Sequence, residues 1–293
     1  RSHRVLNERC WPLCTGQPGV PTSMSRQQRH DARVPIALAV LGWLAVAFFV
    51  VPILALVIRV PWSSLSDVIT DDATTEALTL SVLTSVITTV LAIVLGVPLA
   101  WLLARSNIPG RQFIRALCTL SMVLPPVVAG VALLASLGRR GVVGEILDDW
   151  FGVRLPFTMP AVVIAQLFVA MPFLVLTVES GFARSAGTIE EAARTLGASP
   201  WYVFTRVTLP ATQPAIIAGA VLTWARALGE FGATITFAGN FPGTTRTLPI
   251  ATYLALESDI DDALLISMVM VVISVVILVA LRGRWVGAIG GVR

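Results

Sequence analysis

Arg226 and Glu230 stand four residues apart in the stretch GAVLTWARALGEFGATITF, which is otherwise apolar or small. That spacing places both side chains on one face of a helix, where opposite charges can pair. If the stretch crosses a membrane, ionisable groups at that depth are costly and face a bundle interior or a water-filled cavity. The pair is then either a gate or pathway element for a passing solute, or a self-neutralising lock on helix packing. Gly229 and Gly232 flank Glu230 and would let another helix come close. Ser81, Thr84, Ser85, Thr88 and Thr89 also recur at helical spacing. They could offer hydroxyls to an oxyanion, but such hydroxyls more often bond the carbonyl one turn back, and no site is assigned to them. The tandem Pro125 and Pro126 imply a bend that either lines a path or only kinks the packing.

Residues for catalysis are missing. Cys10, Cys14 and Cys118 make neither a disulfide framework nor a metal-ligand set. His3 and His30 both precede the first apolar run, so a serine protease in the membrane would have no histidine base. No glycine-flanked serine elbow occurs either. SDIDDA, 258–263, reads as solvated charge at a loop–helix junction rather than as metal ligands. The phosphate loop G-x-x-x-x-G-K-[ST] is absent, and the chain has no lysine at all. We expect no catalytic residue, no metal site and no cofactor bound by this chain.

The elements that carry these residues follow from composition. Of 293 residues 56% are hydrophobic and 13% charged, and the mean hydropathy is +0.82. Soluble domains carry roughly a quarter charged residues, so the chain is an integral membrane protein. The net charge of +4 comes from arginines beside apolar runs, a topology signal rather than a nucleic-acid surface. Six stretches reach the roughly 20 apolar residues of a spanning helix: 35–59, 77–104, 114–137, 159–180, 212–236 and 263–281.

Arginine sets their orientation. Arg26, Arg29 and Arg33, then Arg105 and Arg111, then Arg184, Arg194 and Arg206, then Arg282 and Arg284 fall on one side. The other side has no arginine in 61–76, a balanced mixture in 138–158, and only Arg246 among four acids in 237–262. Both termini are therefore expected in the cytoplasm. The expected organisation is a tail over 1–33, a six-helix membrane domain over 34–282 with a polar cytoplasmic loop at 182–211, and a short tail over 283–293. Residues 1–23 lack periodicity and precede Met24, so we expect disorder or a start-site artefact there. No internal repeat of a stand-alone secondary transporter is visible.

The polar loop has its own chemistry. Thr188-Ile189-Glu190-Glu191 reads as a capping box, with Thr188 as N-cap. Gly197 is placed for a left-handed C-cap, and Ser199-Pro200 for a second helix start. Two helices of about two turns, roughly 12 Å each, are expected. Helices that short need a surface to pack on. Ala192 and Ala193 would let another backbone approach, while Leu196, Trp201, Tyr202 and Phe204 supply apolar area. The segment either docks on a partner or lies on the lipid headgroups.

EAARTLGASPWYVFTRVTLP, Glu191 to Pro210, resembles the signature of ABC importer permeases: E-A-A, three residues, G, nine residues, I, one residue, L-P. Glu191, Ala192, Ala193, Gly197, Leu209 and Pro210 match it, and Val207 replaces isoleucine. The resemblance spans 35–282 and implies an all-α, six-span, type I importer permease bundle in the cytoplasmic membrane of a prokaryote. It further implies that the loop forms coupling helices seated in an ATP-hydrolysing subunit, with Leu209 and Pro210 marking the return into span five. The implied partners are a second permease copy, two ATP-binding subunits and an extracytoplasmic oxyanion-binding protein; ATP is used by the partner, not by this chain. RALGEFGATITFAGNFPGTTRTLPIATYLALESD, Arg226 to Asp259, is similar to molybdate, tungstate and sulfate permeases, and FPGTTRTLPIATYLALE most resembles the molybdate group. LPPVVAG, Leu124 to Gly130, resembles a segment of the same family, which adds Pro125 and Pro126 to Arg226, Gly229, Glu230 and Gly232 as pathway candidates. The expected cargo is molybdate, with tungstate as a co-substrate and sulfate or thiosulfate as the alternative.

Overall fold

The computed structural model describes residues 35–106, 108–184 and 187–290, without the side chains of Thr188 and of 280–290. The expected tail over 1–33 and the arginines within it lie outside the described residues. Among the described residues all regular structure is helical: α1 Ile36–Arg59, α2 Leu65–Thr70, α3 Asp72–Arg105, α4 Arg111–Val123, α5 Pro126–Leu137, α6 Gly144–Phe151, α7 Met159–Arg184, α8 Gly187–Thr195, α9 Pro200–Val203, α10 Leu209–Leu228, α11 Gly232–Phe237, α12 Leu248–Ser258 and α13 Ile260–Gly290. The chain divides into two units at Val51–Pro52. In the first unit the α1 residues are apolar and nearly all exposed, the surface of a helix whose solvent is lipid.

In the second unit α3, α7 and α10 form the centre. Val97, Ala100 and Leu103 of α3 meet Leu174, Val175, Val178 and Phe182 of α7, with Leu209, Ile216 and Ala220 of α10 packed against them. Toward the other end of α7, Ala161, Val162, Ala165 and Val169 pack with Ala129 and Leu133 of α5 and with Ala233 and Phe237 of α11. Without a hydrophobic driving force between helices in lipid, close contact of small residues does this work. A Cβ added to Gly232 would stand 2.8 Å from Cβ of Pro126, so only glycine lets α11 meet the start of α5 there.

Among the described residues five helical stretches are long and apolar enough to cross a membrane: Ile36–Arg59, Asp72–Arg105, Met159–Arg184, Pro200–Leu228 and Ile260–Val279. The third expected span is built differently. It is two helices of 13 and 12 residues, about 20 Å and 18 Å long at 1.5 Å per residue. Pro125 forces Leu124 into extended backbone at ψ 131°, and Pro126 opens the next helix. The fifth span is also interrupted, since α10 ends at Leu228 and a new helix starts at Gly232. The expected outer loop over 237–262 contains α12, whose Leu248 and Ile250 are fully buried. Residues 283–290, expected as tail, continue α13.

Candidate functional site

The polar loop takes its shape from local chemistry. α8 ends in a left-handed turn, with Gly197 at φ +84°. The Gly197 N–H donates to Arg194 O at 2.9 Å and the Ala198 N–H to Ala193 O at 3.1 Å, the paired bonds of a Schellman cap. Ser199 Oγ then accepts from the Tyr202 N–H at 3.3 Å, with Pro200 at the first helical position. Two expectations change. The helix opens at Gly187, so Thr188 stands in its first turn rather than at the N-cap, and its side chain lies outside the described residues. The second loop helix is not separate: α9 runs through a π-helical turn, Phe204–Thr208, directly into α10.

This arrangement turns Ile189, Leu196, Trp201 and Tyr202 outward, with Leu196 88% exposed. Phe204 points inward, edge-on to Trp101 at 5.6 Å. Of the signature residues, Glu191 and Ala192 are exposed, Ala193 is half-buried, and Gly197 makes the turn. Val207 and Leu209 are half-buried and Pro210 is exposed in the first turn of α10.

Glu190, to which the sequence alone assigns no site role, is 6% exposed. Its Oε1 accepts from Arg105 Nη2 at 3.0 Å and from Thr208 Oγ1 at 3.0 Å. One helical step separates it from exposed Glu191, about 100° around the axis. A buried carboxylate at a polar surface signals a fixed partner; the adjacent glutamates were the visible clue, and only packing tells which one turns inward.

Arg226 and Glu230 do pair, Nη2 to Oε2 at 2.8 Å. They do so across the helix break rather than along one helix, because Glu230 lies between α10 and α11. The other oxygen, Oε1, accepts from the Ala233 N–H at 2.9 Å, so the carboxylate also holds the start of α11. Glu230 is 1% exposed. Gly232 sits against Pro126, so two candidates over 100 positions apart in sequence share one contact. Gly229 caps α10 with its N–H on Ala225 O, and Pro125 stands at the N-cap of α5.

A second ion pair was not anticipated. Arg115 of α4 binds Glu179 of α7 through Nη2 to Oε1, with Nε 3.4 Å from Oε2. Glu179 is buried while Arg115 stays partly open, lining a cleft of about 440 Å³ with Gln112 and Thr119. The available signal was that Glu179 is the one acidic residue within the α7 segment. Span-two hydroxyls divide as well. Thr84, Ser85 and Thr89 bond back along α3, whereas Thr88 Oγ1 donates to Gln166 Oε1 at 3.0 Å and Gln166 Nε2 donates to Thr84 Oγ1 at 3.2 Å. Ser81 Oγ accepts from the Leu248 N–H at 2.7 Å, capping α12.

Asp67, Asp71, Asp262 and Arg246 line a cleft of about 380 Å³. On α6, hydrogen bonding from Arg154 holds the Asp148 carboxyl below the usual range, with Arg139 adding to the pull. Among the described residues no group of three His, Cys, Asp or Glu is placed to hold a metal ion.

Residues 92–289 match the family model of binding-protein-dependent transport system inner membrane components. The chain is 45% identical over 240 residues to the molybdenum transport system permease protein ModB of Mycobacterium tuberculosis, covering 82% of this chain and 90% of that protein. It is 36% identical over 181 residues to the probable sulfate transport system permease protein cysT of Chlorokybus atmophyticus, covering 61% and 63%. A bacterial ABC transporter involved in alginate import has a chain of similar fold, with TM-score 0.71 at 17% identity, covering 88% of this chain and 95% of that one. With helices, interrupted spans and a capped polar loop on one side and these likenesses on the other, the chain belongs to the binding-protein-dependent transport system inner membrane components, a transport subunit of the inner membrane.

Proposed function

We propose that this chain is the permease of an ATP-driven importer that moves molybdate, and tungstate with it, into the cell. The observation that carries the reading is the loop of α8 and α9: a capped helix ending in a Schellman turn, with Ile189, Leu196, Trp201 and Tyr202 exposed beside small Ala192. Exposed apolar residues rimmed by polar ones mark a surface that expects a partner. Glu191, Ala192, Ala193 and Gly197 dock in the ATP-hydrolysing subunit, and Val207, Leu209 and Pro210 carry the motion into α10. Two copies of the chain pair around the passage, each with its own ATPase, and an extracytoplasmic protein delivers the oxyanion. ATP binding draws the loops together and opens the cavity outward; hydrolysis resets it. The permease needs no tight anion site, since a deep well would trap a dianion. Interrupted helices at Leu124–Pro126 and Gly229–Phe231, with Arg226 and Glu230 beside the second break, are the pathway elements.

Molybdate is favoured over sulfate by the higher identity and fuller coverage of the ModB relative, 45% against 36%. The test is uptake of labelled molybdate by proteoliposomes holding this chain, its ATPase, the binding protein and ATP, with excess sulfate as competitor. ATP-dependent uptake that sulfate leaves untouched is the expected outcome. Suppression by sulfate would move the assignment to sulfate, and no ATP dependence would defeat the importer reading.

A further inference from the structure

We infer that the Glu190 carboxylate is the joint that passes movement of the docking helix α8 to two membrane helices at once, through Arg105 at the end of α3 and Thr208 at the start of α10. The inference rests on the docking role proposed for α8, and it assigns to Glu190 a part distinct from that of the exposed docking residues.

Three features support it. First, a single oxygen, Oε1, takes both bonds, each at 3.0 Å, so the two partners cannot move apart without losing one of them. Second, those partners sit at helix ends. Arg105 is the last residue of the 34-residue α3 and Thr208 immediately precedes the 20-residue α10. These two helices pack on α7 in the central core, so a pull at their ends is a pull on the bundle. Third, the chain path from α8 to α10 bends at Gly197, where two backbone hydrogen bonds hold a left-handed turn. A bend of that kind is a weak strut. The Glu190–Thr208 bond spans it and converts α8, α9 and the head of α10 into a braced triangle. Burial strengthens the brace, because Glu190 and Thr208 are 6% and 2% exposed and water competes poorly for their bonds.

Glu190 is thus a positioning residue: it touches no cargo and acts through α3 and α10. Loss of its charge should leave docking intact and break the link between hydrolysis and transport. The experiment uses the assembled permease–ATPase complex in proteoliposomes with the binding protein. It reads two quantities for Glu190→Gln: the ATPase retained on purification, and oxyanion moved per ATP hydrolysed. We expect normal ATPase retention and at least a tenfold fall in oxyanion per ATP. An unchanged ratio would overturn the joint. Loss of ATPase binding would overturn it too, and would place Glu190 in the docking surface instead. Thr208→Val keeps the ion pair and removes only the hydroxyl; it reads the same ratio should Glu190→Gln fail to accumulate, and a ratio equal to that of the unaltered chain defeats the brace. If the unaltered chain itself retains no ATPase, it is the docking reading that fails, so the two failures are told apart.

Discussion

Glu230 shows what a buried charge does at the residue scale. Its two oxygens serve two partners, the Arg226 guanidinium and the Ala233 N–H. Removing one partner of a buried pair is strongly destabilising, about 3–5 kcal/mol in soluble proteins, because it strands the other charge. Arg226→Gln should therefore lower the melting temperature of the detergent-solubilised permease by stranding the buried Glu230 carboxylate, and adding Glu230→Gln should restore much of the loss. A single variant that melts like the parent would show that the pair is not a structural lock. Gly197 is a backbone case. At φ +84° an L side chain is strained by about 1–2 kcal/mol. Gly197→Ala should weaken ATPase retention modestly, and Gly197→Pro, which cannot donate to Arg194 O, should abolish it while the permease still inserts. Gln166 predicts a smaller effect. Hydrogen bonds between membrane helices are worth about 0.6 kcal/mol on average, so Gln166→Leu should shift thermal unfolding only slightly despite its two bonds to α3.

At the scale of elements, the two breaks form one structure. α11 meets the head of α5 at Gly232 and Pro126, while Gly130 of α5 comes equally close to Thr236 of α11. Over-packing such a contact costs about 1–3 kcal/mol. Gly232→Val should accordingly reduce both thermal stability and uptake, whereas Gly229→Ala, with open space around its Cβ apart from Ala225 O at 3.6 Å, should be mild; equal damage by both would argue against close approach as the reason for glycine at 232. The breaks were half legible. Tandem proline announces an interruption in any helix, and the expected third span already contained it. The interruption after Leu228 carries no proline, only Gly229 and a glutamate whose carboxylate caps the next helix, so helical spacing alone placed Glu230 inside a continuous span. α12 was illegible for a related reason: its 11 residues are too few for a span, and its burial comes from α3 and α13 around it.

For the whole molecule, the expectation is a pair of permeases. Ala193→Glu, a charge on the half-buried side of α8, should lower the amount of ATPase recovered with the complex without changing the permease's own level. Light scattering of the purified complex should return two permeases and two ATPases, and a one-to-one complex would refute the paired arrangement.

Composition and motif spacing were enough to set the solvent and the class. An apolar composition with few charges leaves lipid as the only medium for these helices, and the spacing from Glu191 to Pro210 named the family that the matched residues 92–289 bear out. Caps were legible too, since Gly197 and Ser199 act on their own neighbours within three residues. Packing of the bundle sets which polar groups meet over long separations: Arg105 with Glu190, Arg115 with Glu179, Thr88 with Gln166 and Ser81 with the head of α12. Local spacing puts a side chain on a helix face, but the rotation and depth of each helix in the bundle come from packing against all the others. In a membrane that packing is chosen by close fit among similar apolar surfaces, which helical periodicity cannot rank.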